Sequence, residues 1–100
     1  MFEIRTFRVG DRSYIVALRG ELDLDAATEV AAEIEVRRDG QVVVDLLRAQ
    51  VGDLDALDLL VSAAGADTTF VAERPALDAL DVVGLRRYVN TAPTLVAALA

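Results

Sequence analysis

The sequence predicts an α/β fold in a single domain, and three observations lead to that prediction. A chain of 100 residues with 54% hydrophobic residues has enough apolar material for one compact core. From Gly20 onward, short β-branched runs alternate with segments of helical periodicity, which is typical of parallel strands joined by helices. Before Gly20, two apolar stretches flank a Gly-Asp pair, which indicates a hairpin. We therefore expect a mixed sheet of about four to five strands over residues 1–100, in the order β-β-α-β-α-β-α-α.

The first elements follow from turn residues and periodicity. Strands are predicted over Glu3 to Val9 and Ser13 to Leu18, on either side of Gly10. A helix is predicted over Ala26 to Val36, where apolar residues recur at helical spacing. Its cap is either Asp23 or Asp25, because a carboxylate accepts hydrogen bonds from free first-turn amides and suits the positive end of the helix dipole.

The remaining elements follow in the same way. Gln41 to Leu46 is a β-branched run that we expect to be the central strand, buried on both faces. Asp53 is predicted to open the second helix, and Gly65 to stop it. The other predicted elements are a strand at Thr68 to Ala72, a helix from Pro75 to about Asp81 ended by Gly84, an edge strand at Arg86 to Asn90, and a last helix from Pro93 to Leu99.

Composition excludes several classes of function. The chain has no cysteine and no histidine, so thiolate nucleophiles, imidazole acid–base chemistry and Cys/His zinc sites are absent. A net charge of −7 disfavours nucleic acid as a partner, because that affinity depends on Lys and Arg neutralising phosphates. No apolar run approaches the roughly 18 residues needed for a membrane span. The start of the chain lacks the pattern of a secretory signal, and we therefore expect a cytoplasmic protein.

Four ordered motifs resemble the STAS domain of anti-sigma factor antagonists, small bacterial proteins that release a sigma factor by binding its anti-sigma factor. The motifs are Gly20-Glu21-Leu22-Asp23, Val43-Val44-Asp45-Leu46, Asp53 before a Leu-rich helix, and Val83-Gly84-Leu85. The resemblance runs from about Val9 to the C-terminus. It implies a non-catalytic protein with helices mainly on one face of the sheet, no cofactor, and a serine kinase-like anti-sigma factor as its partner.

The same resemblance indicates which residues would contact that partner. Asp53 matches the family's Asp, Leu54 stands where the family carries its phosphorylated Ser, and Asp23 matches the acidic residue of the neighbouring loop. Leucine has no hydroxyl, so phosphorylation at this position is lost. The predicted contact surface is the loop Glu21 to Asp25 with the first two turns of the second helix, and its residues are Glu21, Asp23, Asp25, Asp53, Leu54, Asp55, Leu57 and Asp58.

Leu54 in place of the family's Ser is compatible with two effects on partner binding, and the sequence does not decide between them. Leu54 would keep the surface permanently in its unphosphorylated form, and it would add an apolar contact. Asp55 and Asp58 instead place fixed negative charge close by, and that charge could imitate a phosphoserine, which carries about −1.5 to −2 charges. The acidic residues also have a purely structural explanation, because helix starts favour carboxylates.

Other functions are compatible with the sequence. The carboxylates of Asp23, Asp25, Asp53, Asp55 and Asp58 could meet at one edge of the sheet and bind Mg²⁺ or Ca²⁺. Such a site would lack a Lys, a His and a Gly-rich phosphate loop, and we expect no metal ligand and no catalytic residue. A scaffold or homodimer role, with Leu54, Leu59 and Val83 exposed, and a pocket for a lipid or nucleotide are further alternatives.

Overall fold

The computed structural model describes residues 1–100, and its elements alternate as the sequence predicts. The five strands are β1 (Phe2–Arg8), β2 (Ser13–Leu22), β3 (Gln41–Val51), β4 (Thr68–Val71) and β5 (Asn90–Ala92). The helices are α1 (Leu24–Arg37), α2 (Leu54–Ala63), α3 (Ala76–Val82) and α4 (Leu95–Leu99), with a 3₁₀ helix at Arg86–Tyr88. None of the helices is long and apolar enough to cross a lipid bilayer.

The five strands form one mixed sheet in which spatial order equals sequence order, β1-β2-β3-β4-β5. β1 and β2 are antiparallel, with Phe2 opposite Gly20, as expected for the hairpin around Gly10. Every later pair of neighbouring strands is parallel. The prediction of an α/β fold with a mixed sheet and with β3 at its centre is therefore confirmed.

The helices are distributed unequally over the two faces of the sheet. The larger apolar cluster joins residues of α1, α2 and α3 to one face, where Val42 and Val44 of β3 are fully buried. A smaller cluster on the opposite face consists of Val43, Val71 and Ala98 of α4, with partly buried neighbours. The prediction that helices lie mainly on one face is confirmed, and β3 is buried on both faces as expected.

β3 is longer than predicted because a β-bulge interrupts its alternation. Ala17 lies opposite Asp45, but Arg19 lies opposite Arg48, so β3 has one extra residue over this stretch. The Asp45 Oδ1 atom accepts a hydrogen bond from the Leu47 backbone nitrogen at 3.0 Å, which holds the bulge. Beyond the bulge, β3 continues beside β2 as far as Val51.

The edge strand predicted over Arg86 to Asn90 is misplaced. Residues Arg86–Tyr88 form the 3₁₀ helix, and the strand is Asn90–Ala92, which pairs with β4 through Thr69 and Asn90. Gly84 ends the preceding region with a φ of +73°, a left-handed conformation that glycine adopts at little cost. The chain therefore needs one more turn after Gly84 before it can reach the edge of β4.

Candidate partner-binding surface

The starts of α1 and α2 lie side by side at one edge of the sheet. β2 and β3 are parallel, and their last paired residues are Leu22 and Val51, so both chains leave the sheet at the same end. The backbone nitrogen of Gly52 donates a hydrogen bond to the Leu22 carbonyl oxygen at 3.0 Å, which joins the two exits. The junction before α1 and the turn before α2 are therefore neighbours. The predicted loop Glu21 to Asp25 is not a loop, however, because β2 continues to Leu22 and α1 begins at Leu24, so Asp23 alone joins them.

Each helix begins at an aspartate that caps it. Asp23 accepts a hydrogen bond from the Ala26 backbone nitrogen at 2.9 Å, and Asp53 accepts one from the Asp55 backbone nitrogen at 2.9 Å. Both bonds use one carboxylate oxygen, Oδ1. The other oxygen of each aspartate has no hydrogen-bond partner within the chain, so it remains available to a donor from outside.

The two helix starts share the tetrapeptide Asp-Leu-Asp-Ala, at residues 23–26 and 53–56. In both copies the first Asp is the cap, the Leu is partly exposed and the Ala is fully buried. Leu24 is 44% exposed and Leu54 is 45% exposed. Sequence reasoning missed Leu24 as a surface residue, although the repeated tetrapeptide gives it the same place in α1 that Leu54 has in α2.

Glu21 connects the two segments. Its side chain lies over Gly52, where an added Cβ atom would come within 2.4 Å of the Glu21 Oε1 atom. Glycine at this position therefore leaves room for the Glu21 carboxylate at the turn into α2. The absence of a side chain on residue 52 is what allows the Glu21 side chain to lie over the turn into α2.

The predicted contact residues fall into two groups. Leu57 is 1% exposed and belongs to the larger apolar cluster, so it cannot contact a partner in this conformation. The others reach the surface: Asp23 and Asp53 are half-buried, and Glu21, Asp25, Leu54, Asp55 and Asp58 are exposed. We define the helix-mouth surface as Glu21, Asp23, Leu24, Asp25, Asp53, Leu54, Asp55 and Asp58.

The helix-mouth surface carries negative charge that nothing in the chain compensates. All of its charged residues are acidic, and none of them takes part in an ion pair; the four ion pairs of the chain lie elsewhere. These carboxylates also do not converge, because no group of three or more Asp or Glu side chains is placed to hold a metal ion. The metal-site alternative therefore has no geometric support, whereas recognition by a basic partner needs no convergence.

No family model matches the chain, and no curated protein matches it in sequence. Its fold, however, resembles that of several solved structures. An anti-sigma factor antagonist from Mycobacterium paratuberculosis superposes with a TM-score of 0.80 at 23% identity, covering 99% of this chain and 92% of that one. The anti-sigma factor antagonist SpoIIAA in its unphosphorylated form gives a TM-score of 0.67 at 17% identity, covering 97% and 94%.

A third solved structure with a similar fold is described as a STAS domain. An antisigma-factor antagonist STAS domain from Rhodobacter sphaeroides gives a TM-score of 0.52 at 21% identity, covering 90% of this chain and 84% of that one. SpoIIAA of Bacillus also matches in its phosphorylated form. The chain therefore has the fold of STAS domains found in anti-sigma factor antagonists, as the sequence motifs indicated.

Proposed function

We propose that this chain is a non-catalytic, cytoplasmic protein-binding domain that acts as an anti-sigma factor antagonist. Its partner in this proposal is a kinase-like anti-sigma factor, which docks on the helix-mouth surface. The fold shared with three solved antagonists supports the role. The observation that carries the choice of surface is Leu54, a half-exposed apolar side chain at the first residue of α2, next to the junction that holds Asp23.

The proposed contact combines a small apolar centre with an acidic surround. Complete burial of a leucine is worth roughly 1.5–3 kcal/mol. Because Leu54 is already half-buried in the free protein, a partner gains only part of that amount. The unpaired carboxylate oxygens of Asp23 and Asp53 accept hydrogen bonds from Arg or Lys of the partner, and such charge-assisted bonds give geometric specificity.

We further propose that binding is not controlled by phosphorylation at the start of α2. A kinase acting on a serine there would add about −1.5 to −2 charges to a surface that is already acidic. Leu54 cannot accept the phosphoryl group, and so it keeps the surface in its unmodified form. Asp55 is a poor imitation of a phosphoserine at residue 54, because successive side chains point about 100° apart around a helix.

Calorimetry with the cognate anti-sigma factor tests the surface. Leu54→Asp places a buried charge at the centre of the contact and should weaken binding by about tenfold or more, equivalent to roughly 1.4 kcal/mol. The matched control is Val96→Asp, which introduces the same charge in the first turn of α4 at a residue that is 81% exposed. Equal binding by the wild type and both variants would contradict the proposed surface.

Mass spectrometry after incubation with the kinase and ATP tests the second proposal. The wild type should show no phosphate on residues 53–58, whereas Leu54→Ser should gain one phosphate and then bind less tightly. The variant supplies the hydroxyl in the same helix position, so it serves as the positive control for kinase recognition. Absence of phosphate from Leu54→Ser would contradict the alignment of Leu54 with the family's serine, and a phosphate on Ser62 of wild-type α2 would contradict the loss of phosphorylation control.

A further inference from the structure

The face of the sheet opposite α1 to α3 is only partly covered. α4 packs on that face against residues of β3, β4 and β5, including Val43, Val71 and Ala92. The part formed by β1, by β2 around Arg19 and by β3 around Arg48 has no helix packed against it. It contains a shallow groove of about 270 Å³, which we call the arginine groove, lined by Glu3, Arg5, Phe7, Ala17, Leu18, Arg19, Asp45 and Arg48.

Two arginines of the groove face each other with no partner. Arg19 and Arg48 are opposite one another in the register of β2 and β3, where neighbouring strands are about 4.8 Å apart. Both side chains are exposed, and neither makes a hydrogen bond or an ion pair within the chain. Like charges directly opposite each other in a sheet are destabilising, so fold stability does not explain this arrangement.

Each of the two carboxylates that line the groove has one oxygen in a hydrogen bond, and neither pairs with Arg19 or Arg48. Glu3 accepts a hydrogen bond from Nη2 of Arg5 at 3.5 Å, and Oδ1 of Asp45 accepts from the Leu47 backbone nitrogen at 3.0 Å. The guanidinium groups of Arg19 and Arg48 therefore present donors that no acceptor of the chain satisfies. A guanidinium group presents parallel N–H donors that fit the paired oxygens of a carboxylate.

The bulge in β3 is what creates the pair. Continuing the register from Ala17 and Asp45 without a bulge would place Leu47 opposite Arg19. The extra residue, held by the Asp45 side chain, places Arg48 there instead. Bulges commonly re-aim a side chain next to a functional site, and this one exchanges an apolar neighbour of Arg19 for a second cation.

We propose that the arginine groove binds an acidic segment of a partner protein, with its carboxylates on Arg19 and Arg48. Phe7, which is 48% exposed at the side of the groove, contacts an apolar side chain of the same segment. A polyanion such as nucleic acid fits less well, because Glu3 and Asp45 lie in the groove and the chain carries a net charge of −7. The groove shares no residue with the helix-mouth surface, so the proposal for the groove does not rest on the proposal for that surface.

Fluorescence anisotropy with a synthetic peptide tests the groove. The probe is a short labelled peptide of alternating Glu and Ser with one central Leu, and its control has Gln in place of every Glu. We expect the Glu peptide alone to bind, and Arg19→Gln and Arg48→Gln each to weaken binding by about tenfold, as expected for losing a charged hydrogen bond. The double variant Arg74→Gln/Arg87→Gln, with arginines outside the groove, should bind like the wild type. Equal binding of both peptides, or binding by neither, overturns the proposal.

Thermal unfolding gives a second readout that a merely structural role would not produce. Removing one of two opposed cations should raise the melting temperature of the free protein, by roughly 1–6 °C for Arg48→Gln at low salt. The same variant should lose peptide binding, so stability and binding change in opposite directions. A fall in melting temperature together with unchanged peptide binding would assign Arg48 to the fold alone and overturn the proposal.

Two further outcomes would assign the groove to another occupant. If inorganic phosphate raises the melting temperature of the wild type as much as the Glu peptide does, and this effect disappears in Arg19→Gln, the groove binds free anions and the proposal fails. Light scattering at increasing protein concentration provides the other check. Self-association that disappears in the Arg19→Gln/Arg48→Gln variant would make a second copy of this chain the occupant, which also overturns the proposal.

Discussion

Leu54 and Leu57 lie three residues apart on α2, in opposite environments. The first is partly exposed beside the start of α1, whereas the second packs with Leu60 in the larger apolar cluster. Among the apolar residues of this stretch, Leu54 reaches the surface while Ala56 and Leu57 are both buried, because one side of α2 faces the core. Contact with a partner and support of the fold are therefore assigned to different leucines of the same turn.

This division predicts unequal costs of truncation. Leu57→Ala should lower the free energy of unfolding by about 2–5 kcal/mol, because it leaves a cavity in a packed core. Leu54→Ala should change it by no more than about 0.5 kcal/mol, as for surface substitutions without special contacts. Urea denaturation followed by circular dichroism measures both values. A large loss for Leu54→Ala would mean that this side chain supports the fold, and the proposed surface would lose its centre.

At the scale of elements, the two helix starts show how local sequence positions the helix-mouth surface. Asp23 and Asp53 each satisfy a first-turn amide that has no partner inside the helix. The cap fixes where the helix begins, and it thereby also fixes the position of the leucine that follows it. The repeated Asp-Leu-Asp-Ala therefore produces two similar surfaces at neighbouring strand exits.

Substitution of a cap should reveal this role. Asp53→Ala removes the side-chain acceptor and should lower the free energy of unfolding by about 1 kcal/mol, within a range of roughly 0.5–2 kcal/mol. Asp53→Asn keeps an equally good capping oxygen and should cost much less, although it removes the charge offered to a partner. Chemical denaturation measures stability, and calorimetry with the anti-sigma factor measures binding. Equal stability of the two variants would show that the cap contributes little.

The bulge in β3 is the reason why the end of this strand could not be predicted from the sequence pattern. The prediction of β3 rested on the β-branched run from Gln41 to Leu46, and it stopped where that run ends. In the structure, pairing with β2 continues to Val51 because the partner strand and the Asp45 side chain accommodate the extra residue. Because α2 begins soon after β3, the end of β3 at Val51 determines the positions of Asp53 and Leu54.

At the scale of the whole molecule, the two apolar clusters share one sheet. Val42 and Val44 point into the larger cluster, and Val43 between them points into the smaller one. Neither cluster can be lost while β3 stays in place. We propose on this basis that residues 1–100 unfold as one cooperative domain.

A substitution in the smaller cluster tests that cooperativity. Val43→Ala should lower the midpoint of a single transition, with far-UV circular dichroism and tyrosine fluorescence reporting the same midpoint. The physical reason is that β3 is common to both clusters, so weakening either one weakens the whole. Separate midpoints for the two probes, in the wild type or the variant, would show that residues 1–100 do not unfold as one unit.

Much of the architecture was accessible from residues alone, and the exceptions have identifiable causes. Gly40, Gly65 and Gly84 correctly marked the ends of helical regions. Asp53 was correctly placed as the start of α2, and Asp23 is the one of two candidates that caps α1. The last strand was misplaced because Tyr88 and Val89 have high β-propensity, whereas its position depends on which residues can reach the edge of β4. Leu57 was wrongly included in the contact surface, although helical spacing places it in one apolar stripe with Leu60, and both are buried.

The sequence by itself determined the α/β class, the order of the elements, the central buried strand and the capped helix starts, because these follow from local periodicity and from turn and capping chemistry. Only the tertiary structure decided that Leu24 is as exposed as Leu54, that Glu21 lies over Gly52, and that Arg48 faces Arg19. Those relations join residues from different strands and helices. They depend on register and on a bulge, and a single sequence carries no local signal for either.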